Sequence, residues 1–184
     1  MEAVAYKDPL VARLAAGDRA AYTECYNALR PRLFGFLARL AGNRAVAEEL
    51  LQDTFMKLAR HAHALRPDTE IAAWLFTVAR NAATSHRRWA RLDATRILIW
   101  GSKPETVVLT PEDLAAANAT ERRVEAAIAK LSQSDREVLL LVAAEDFSPQ
   151  QAAEILGIGE AACRQRLSRA RQRLQALLDE GVKP

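Results

Sequence analysis

SPQQAAEILGIGEAACRQRLSRARQRL, residues 148–174, reads as a cap, a short helix, a tight turn and a second, basic helix. Ser148 stands where an N-cap side chain is needed, and Pro149 is suited to the first helical position, whose N–H has no partner anyway. Ala152 and Ala153 are small enough to let a second helix approach, and Ile155 and Leu156 complete the apolar face. Gly157-Ile158-Gly159 makes the turn, with Ile158 placed to plug it. From Glu160 a last helix runs to about Leu178, with Leu167, Ala170, Leu174 and Leu178 facing inward. Arg164, Gln165, Ser168, Arg169 and Arg171 then share an outward arc. This is the plan of a helix-turn-helix, whose second helix enters a DNA groove. An Arg fork matches guanine edges or phosphate oxygens, and Gln matches adenine.

Working back towards the N-terminus, Ser134 followed three residues later by Glu137 reads as a capping box before Val138-Leu139-Leu140-Leu141. Val124, Ala127, Ile128 and Leu131 form the stripe of the helix before it. Between 94 and 118 the periodicity fails, and Gly101, Pro104 and Pro111 punctuate the chain. An irregular stretch of this length is uncommon inside one compact domain, so residues 1–93 and 119–184 are expected as two small all-α domains joined, loosely, by a linker at 94–118. The linker's apolar clusters, Ile97 to Trp100 and Val107 to Leu109, are expected to lie against something.

The first domain is read as a helical bundle. Asp18 caps a helix in which Tyr22, Tyr26, Leu29, Leu33, Phe36, Leu37 and Leu40 recur at three- and four-residue steps, with Pro31 expected to kink or split it. Gly42-Asn43 ends it. The next helix sets Val46, Leu50, Leu51, Thr54, Phe55 and Leu58 against a polar face of Glu48, Glu49, Gln52, Asp53 and Lys57. After a turn at Pro67-Asp68, Ile71, Trp74, Leu75, Val78 and Ala82 line a third helix, which ends in a basic, aromatic tail: Arg80, Asn81, His86, Arg87, Arg88, Trp89, Arg91. Arginines interleaved with aromatic rings suit single-stranded nucleic acid, where rings stack on bases and Arg tracks phosphates. Periodicity alone leaves open whether Trp74 is core and only the arginines are exposed.

Composition narrows the class. The 184 residues carry a net charge of only +3, with few Gly and Pro, so helix formers run almost throughout. The charge matters where it is concentrated: residues 160–175 hold five Arg and a single Glu, the footprint of a nucleic-acid-binding helix. Two isolated cysteines, Cys25 and Cys163, make neither a disulfide framework nor a zinc cage. No apolar run reaches the roughly 20 residues that span a bilayer, and the first residues lack a signal-peptide pattern, so a cytoplasmic protein is expected. His61 and His63 diverge on a helix and no carboxylate completes a metal site. No phosphate loop, nucleophile elbow or paired acid–base carboxylates occur, so neither cofactor nor catalytic centre is expected.

Three blocks in order, GNRAVAEELLQDTFMKLARH, AWLFTVARNAATSHRRWAR and SPQQAAEILGIGEAACRQRLSRARQRL, resemble the extracytoplasmic-function sigma factors of the sigma-70 family, the bacterial promoter-specificity subunits of RNA polymerase. The resemblance covers about 9–91 and 119–178. It implies a region 2-like domain followed by a region 4-like domain. It also implies that Glu49, Gln52 and Asp53 dock on core polymerase, at the β′ clamp, with β as a further contact. The loop from Leu65 to Ala72 and Asn81 correspond to the capture site for a flipped base of the −10 element, while Arg80, Arg87 and Arg88 hold the melted strand. Arg164, Gln165, Ser168, Arg169 and Arg171 correspond to positions that meet the −35 element. An anti-sigma factor is an expected partner. The chain departs from the family at Ala162-Cys163-Arg164, where Thr-Val-Lys or Thr-Val-Arg is usual, so one hydroxyl contact to phosphate is absent. Its capture loop carries its own side chains. Read without the resemblance, the residues also allow a stand-alone helix-turn-helix regulator or a helical protein-binding adaptor.

Overall fold

The structure is a computed structural model that describes residues 8–97 and 119–180. Among them are eight α-helices and no strand: α1 (Pro9–Ala15), α2 (Arg19–Ala41), α3 (Arg44–His61), α4 (Ile71–Ile97), α5 (Ala119–Lys130), α6 (Gln133–Leu139), α7 (Pro149–Leu156) and α8 (Glu160–Glu180). None of these helices is long and apolar enough to cross a membrane.

Local chemistry accounts for most boundaries. The Asp18 carboxylate accepts from the Ala20 amide at 2.8 Å, and Asn43 accepts from Val46 at 3.1 Å. Between them Gly42 ends α2 in the left-handed region, where a side chain would be strained. Pro31 does not split α2, which continues through it. Proline removes one helical hydrogen bond and crowds the carbonyl four residues back. Both Pro31 and Asn27 lie on the exposed face, where water reaches that carbonyl, while Leu29 and Leu33 anchor the buried face on either side. α4 continues past the expected boundary at 93 as far as Ile97. Residues 98–118, which include nearly all of both apolar clusters of the linker, lie outside the described residues.

The capping box expected at Ser134 is not the one the helix uses. Ser132 caps α6, its hydroxyl accepting from the Asp135 amide at 3.2 Å. Glu137 is thereby free for a longer-range partner. A single π-helical turn, Leu140–Ala144, follows α6, with the Glu145 amide donating to Leu140 O at 3.0 Å. Asp146 then takes the left-handed backbone (φ 57°), which Asp tolerates better than most residues.

The two bundles do not hang apart: one continuous apolar core runs through both. Leu33, Phe36, Leu37, Leu75 and Phe76 are completely buried in the first, and Val138, Leu141, Ala152, Cys163 and Ala170 in the second. Phe76 joins them, with its ring edge-on to Phe36 (5.2 Å) on one side and to Phe147 (5.1 Å) on the other.

Candidate nucleic-acid interface

The turn between α7 and α8 is built as its residues dictate. Ser148 and Gln151 form a reciprocal capping box, the Ser148 amide donating to Gln151 Oε1 at 2.9 Å and the Gln151 amide to Ser148 Oγ at 3.2 Å. Gly157 closes α7 at φ 65°, and the Ile158 amide donates to Ala153 O at 3.0 Å. Ile158 packs against the core as a plug.

α8 buries Cys163, Leu167 and Ala170, with Leu174 and Leu177 packed below them; Leu177, not Leu178, continues the stripe. Arg164, Gln165, Ser168, Arg169 and Arg171 are all exposed, and at about 100° per residue they fan over one arc on the side away from Cys163. Arg164 is held by Glu160 one turn back (2.5 Å), with the Arg side chain still 69% exposed. Such a surface pair contributes a few tenths of a kcal/mol, so the guanidinium is released to another anion at little cost. Arg166, between these residues in sequence, faces elsewhere and lines a cleft with Arg80, Thr84, Arg87 and Glu137. Cys163 has no exposed surface, and burial pushes its thiol pKa up, so the neighbouring arginines do not make it a thiolate.

On α4 the inward residues are Ile71, Leu75, Phe76, Ala79 and Ala83. Trp74 packs partly against this core, whereas Trp89 is 66% exposed. The aromatic tail is therefore divided: one ring is structural and one is open to solvent beside His86 and Arg88, which are also exposed. Asn81 is exposed and accepts from Arg80 Nη1 at 3.3 Å. Arg80 itself turns towards the second bundle, where its Nε meets Glu137 Oε2 at 3.1 Å. Arg87 is half-buried in the same cleft. The loop from Leu65 to Ala72 is pinned at Leu65, which is buried, and carries an exposed Arg66–Asp68 pair at 3.1 Å. A cavity of about 320 Å³ opens beside it, lined by Asp8, Thr69, Glu70, Ile71 and Ala72.

α3 presents Glu49, Gln52 and Asp53 to solvent on the face opposite Leu50, Leu51, Thr54 and Leu58. Beside them lies a groove of about 750 Å³ between α2 and α3, walled by Tyr26, Phe34, Phe55 and Met56 and reaching Arg44 and Gln52. Periodicity assigned Tyr26 to the core. It is instead 41% exposed and packs on Phe55 at 4.8 Å, and Met56 is 45% exposed. The signal available in the sequence was Met56 itself, an apolar residue on the polar face. Among the described residues no three His, Cys, Asp or Glu side chains are grouped to hold a metal.

The sequence matches the family models for sigma-70 region 2 over residues 25–92 and sigma-70 region 4 over 121–174. It is 36% identical over 148 residues to the ECF RNA polymerase sigma factor EcfG of Rhodopseudomonas palustris, covering 80% of each chain. The chain belongs to the extracytoplasmic-function sigma factors. It is also 33% identical over 172 residues to the sigma factor CarQ of Myxococcus xanthus, covering 91% of this chain and 95% of that one. The sigma factor RpoE of Bartonella quintana, solved in complex with the anti-sigma factor NepR, superposes with a TM-score of 0.76 at 30% identity, over 86% of this chain and 96% of that one. The region 2 match falls on α2–α4 and the region 4 match on α5–α8.

Proposed function

We propose that this sigma factor works in the cytoplasm without a catalytic centre of its own, recruiting core polymerase through α3, opening the −10 element along α4 and reading −35 duplex with α8. The observation that carries this is the pairing, in one chain, of two exposed basic faces of different kinds. One is an arc of Arg164, Gln165, Ser168, Arg169 and Arg171 shaped for a duplex groove. The other sets exposed Asn81, Arg88 and Trp89 along α4, with a cavity at the loop before it, suited to an unstacked strand. Glu49, Gln52 and Asp53, with the apolar groove beside them, serve as the polymerase contact. An anti-sigma factor is the natural regulator, since the superposing RpoE is bound to one.

In vitro transcription with core polymerase tests this reading. The chain should yield promoter-specific transcripts, and Arg169→Ala should lower −35 binding by on the order of 1–3 kcal/mol with no loss of fold. Tight specific duplex binding by the free protein, with no transcript on adding core, would instead mark a stand-alone regulator. Absence of any salt-dependent DNA affinity would mark a protein-binding adaptor.

A further inference from the structure

Three helical threonines spend their hydroxyls on the carbonyl one turn back: Thr23 on Arg19 O at 3.1 Å, Thr54 on Leu50 O at 2.7 Å and Thr77 on Ala73 O at 2.8 Å. Such a back-bond is how a mid-helix hydroxyl is commonly satisfied. Thr84 departs from it: its hydroxyl is buried and has no hydrogen-bond partner among the described residues. Thr84 stands in the wall of a polar cavity of about 330 Å³ whose other walls come from α6 and α8. Arg166 of α8 reaches the same cavity half-buried, with no hydrogen bond or ion pair to any described residue. Arg80 and Arg87 line it from α4. The positive charge here is felt nearby: the pKa of Arg136 is lowered by burial first and by Arg87 second.

The cavity is rich in donors and short of acceptors. Glu137 is the one carboxylate among its lining residues, and both its oxygens are taken, Oε2 by Arg80 Nε at 3.1 Å and Oε1 by Gln133 Nε2 at 2.8 Å. A half-buried guanidinium without a counter-charge and a buried hydroxyl without a partner both cost stability. An anion bearing several oxygens relieves both at once. Phosphate suits this donor set better than a halide or a carboxylate. At neutral pH it carries about −1.5 to −2 charges with three strong acceptor oxygens, and guanidinium forks match its edges. The donors also converge from two helices, α4 and α8, rather than in one plane, as a tetrahedral ion requires. The volume lies at the lower end of the roughly 300–1,000 Å³ of small-molecule sites, which admits a phosphate with a small body and excludes a duplex.

We infer that this cavity is a binding site for a phosphate dianion, free or as the head of a small phosphomonoester, held by Arg166 and Thr84 together with the arginines of α4. Arg166 and Thr84 belong to neither DNA face, so the inference is independent of the assignment of Arg80 and Arg87 to the −10 strand. Isothermal titration of the full-length chain with inorganic phosphate tests it, with ionic strength held constant by chloride. One saturable site is expected. Arg166→Gln should weaken it at least tenfold. Thr84→Val, which keeps the shape of the side chain, should weaken it about threefold and keeps the test open should Arg166→Gln fail to fold. Arg173→Gln removes the same charge from an exposed position of α8 and should change the affinity less than twofold. Adenosine monophosphate as a second probe separates the two sources: binding at least tenfold tighter than phosphate identifies a phosphomonoester, and equal or weaker binding the free ion. No saturable binding of either probe would overturn the proposal, as would equal weakening by Arg166→Gln and Arg173→Gln. It would also fall if Arg166→Gln and Thr84→Val left phosphate binding unchanged but lost affinity for a single-stranded oligonucleotide, since the cavity wall would then belong to a strand path.

Discussion

α4 and α8 are both basic helices that bury an apolar stripe, yet their arginines are held in opposite ways. Arg164 on α8 leans on Glu160, an exposed residue of its own helix, whereas Arg80 on α4 reaches Glu137, a buried residue of the other bundle. Around Arg164 nothing is desolvated, so its pair contributes little to stability and yields easily. Around Glu137 a carboxylate has left water, and the fold depends on the partner that compensates it. A basic helix thus presents its charge directly when its acidic partners are local, and conditionally when they are remote.

The comparison is broken most severely at the residue that both bundles share. Phe76→Ala removes the ring between Phe36 and Phe147, and a loss of about 3–5 kcal/mol is expected from equilibrium denaturation. Separate transitions for the two halves in that variant would show that Phe76 couples them. Next, Arg80→Ala removes a charged partner of the buried Glu137, which also accepts from Gln133 Nε2 at 2.8 Å; about 1–3 kcal/mol should be lost, while Arg164→Ala should change stability by less than about 0.5 kcal/mol. Equal losses for the two would erase the distinction drawn here. Smaller again is Gly157→Ala. A Cβ there meets nothing within 4 Å, so the cost is the left-handed backbone alone, about 1 kcal/mol in thermal or chemical unfolding.

The smallest effect concerns Glu145. Burial raises its pKa more than the Arg32 hydrogen bond and charge lower it. A carboxyl whose folded pKa lies above its unfolded value favours the folded state when protonated. That contribution is fully present below the unfolded pKa, near 4.5, and is lost as pH rises through the folded value. Glu145→Gln keeps an acceptor for Arg32 and sheds the charge. At pH 7 it should be at least as stable as the native chain, and the difference should vanish below about pH 4.5 when denaturation midpoints are compared across pH. A large loss at pH 7 would show that the ion pair outweighs the cost of burying the charge.

Legibility in the sequence followed the range of the interactions. Ser148, Pro149 and Gly157 act on backbone within a turn of themselves, and their roles could be read directly. The stripe of α8 and the exposure of Arg164, Gln165, Ser168, Arg169 and Arg171 follow from one helix repeat. Ser134 was misjudged because its partner in the expected box, Glu137, is drawn to Arg80, 57 residues away. Tyr26 had the right spacing for the core but lies at the edge of the stripe, where α3 leaves a groove rather than a seal. Arg166 was not among the residues of the basic arc, and the packing of α8 against α6 turns it towards the cleft. The union of the two bundles rests on side chains far apart along the chain, and no local pattern encodes it.

Cys163 sits on the buried face of α8 with its sulfur sealed from solvent. Because the thiolate is the form that peroxides and electrophiles attack, neither class of reagent can act on α8 through this thiol while the helix is seated. Damage must wait for α8 to lift from its bed, so the helix is protected by its own docking.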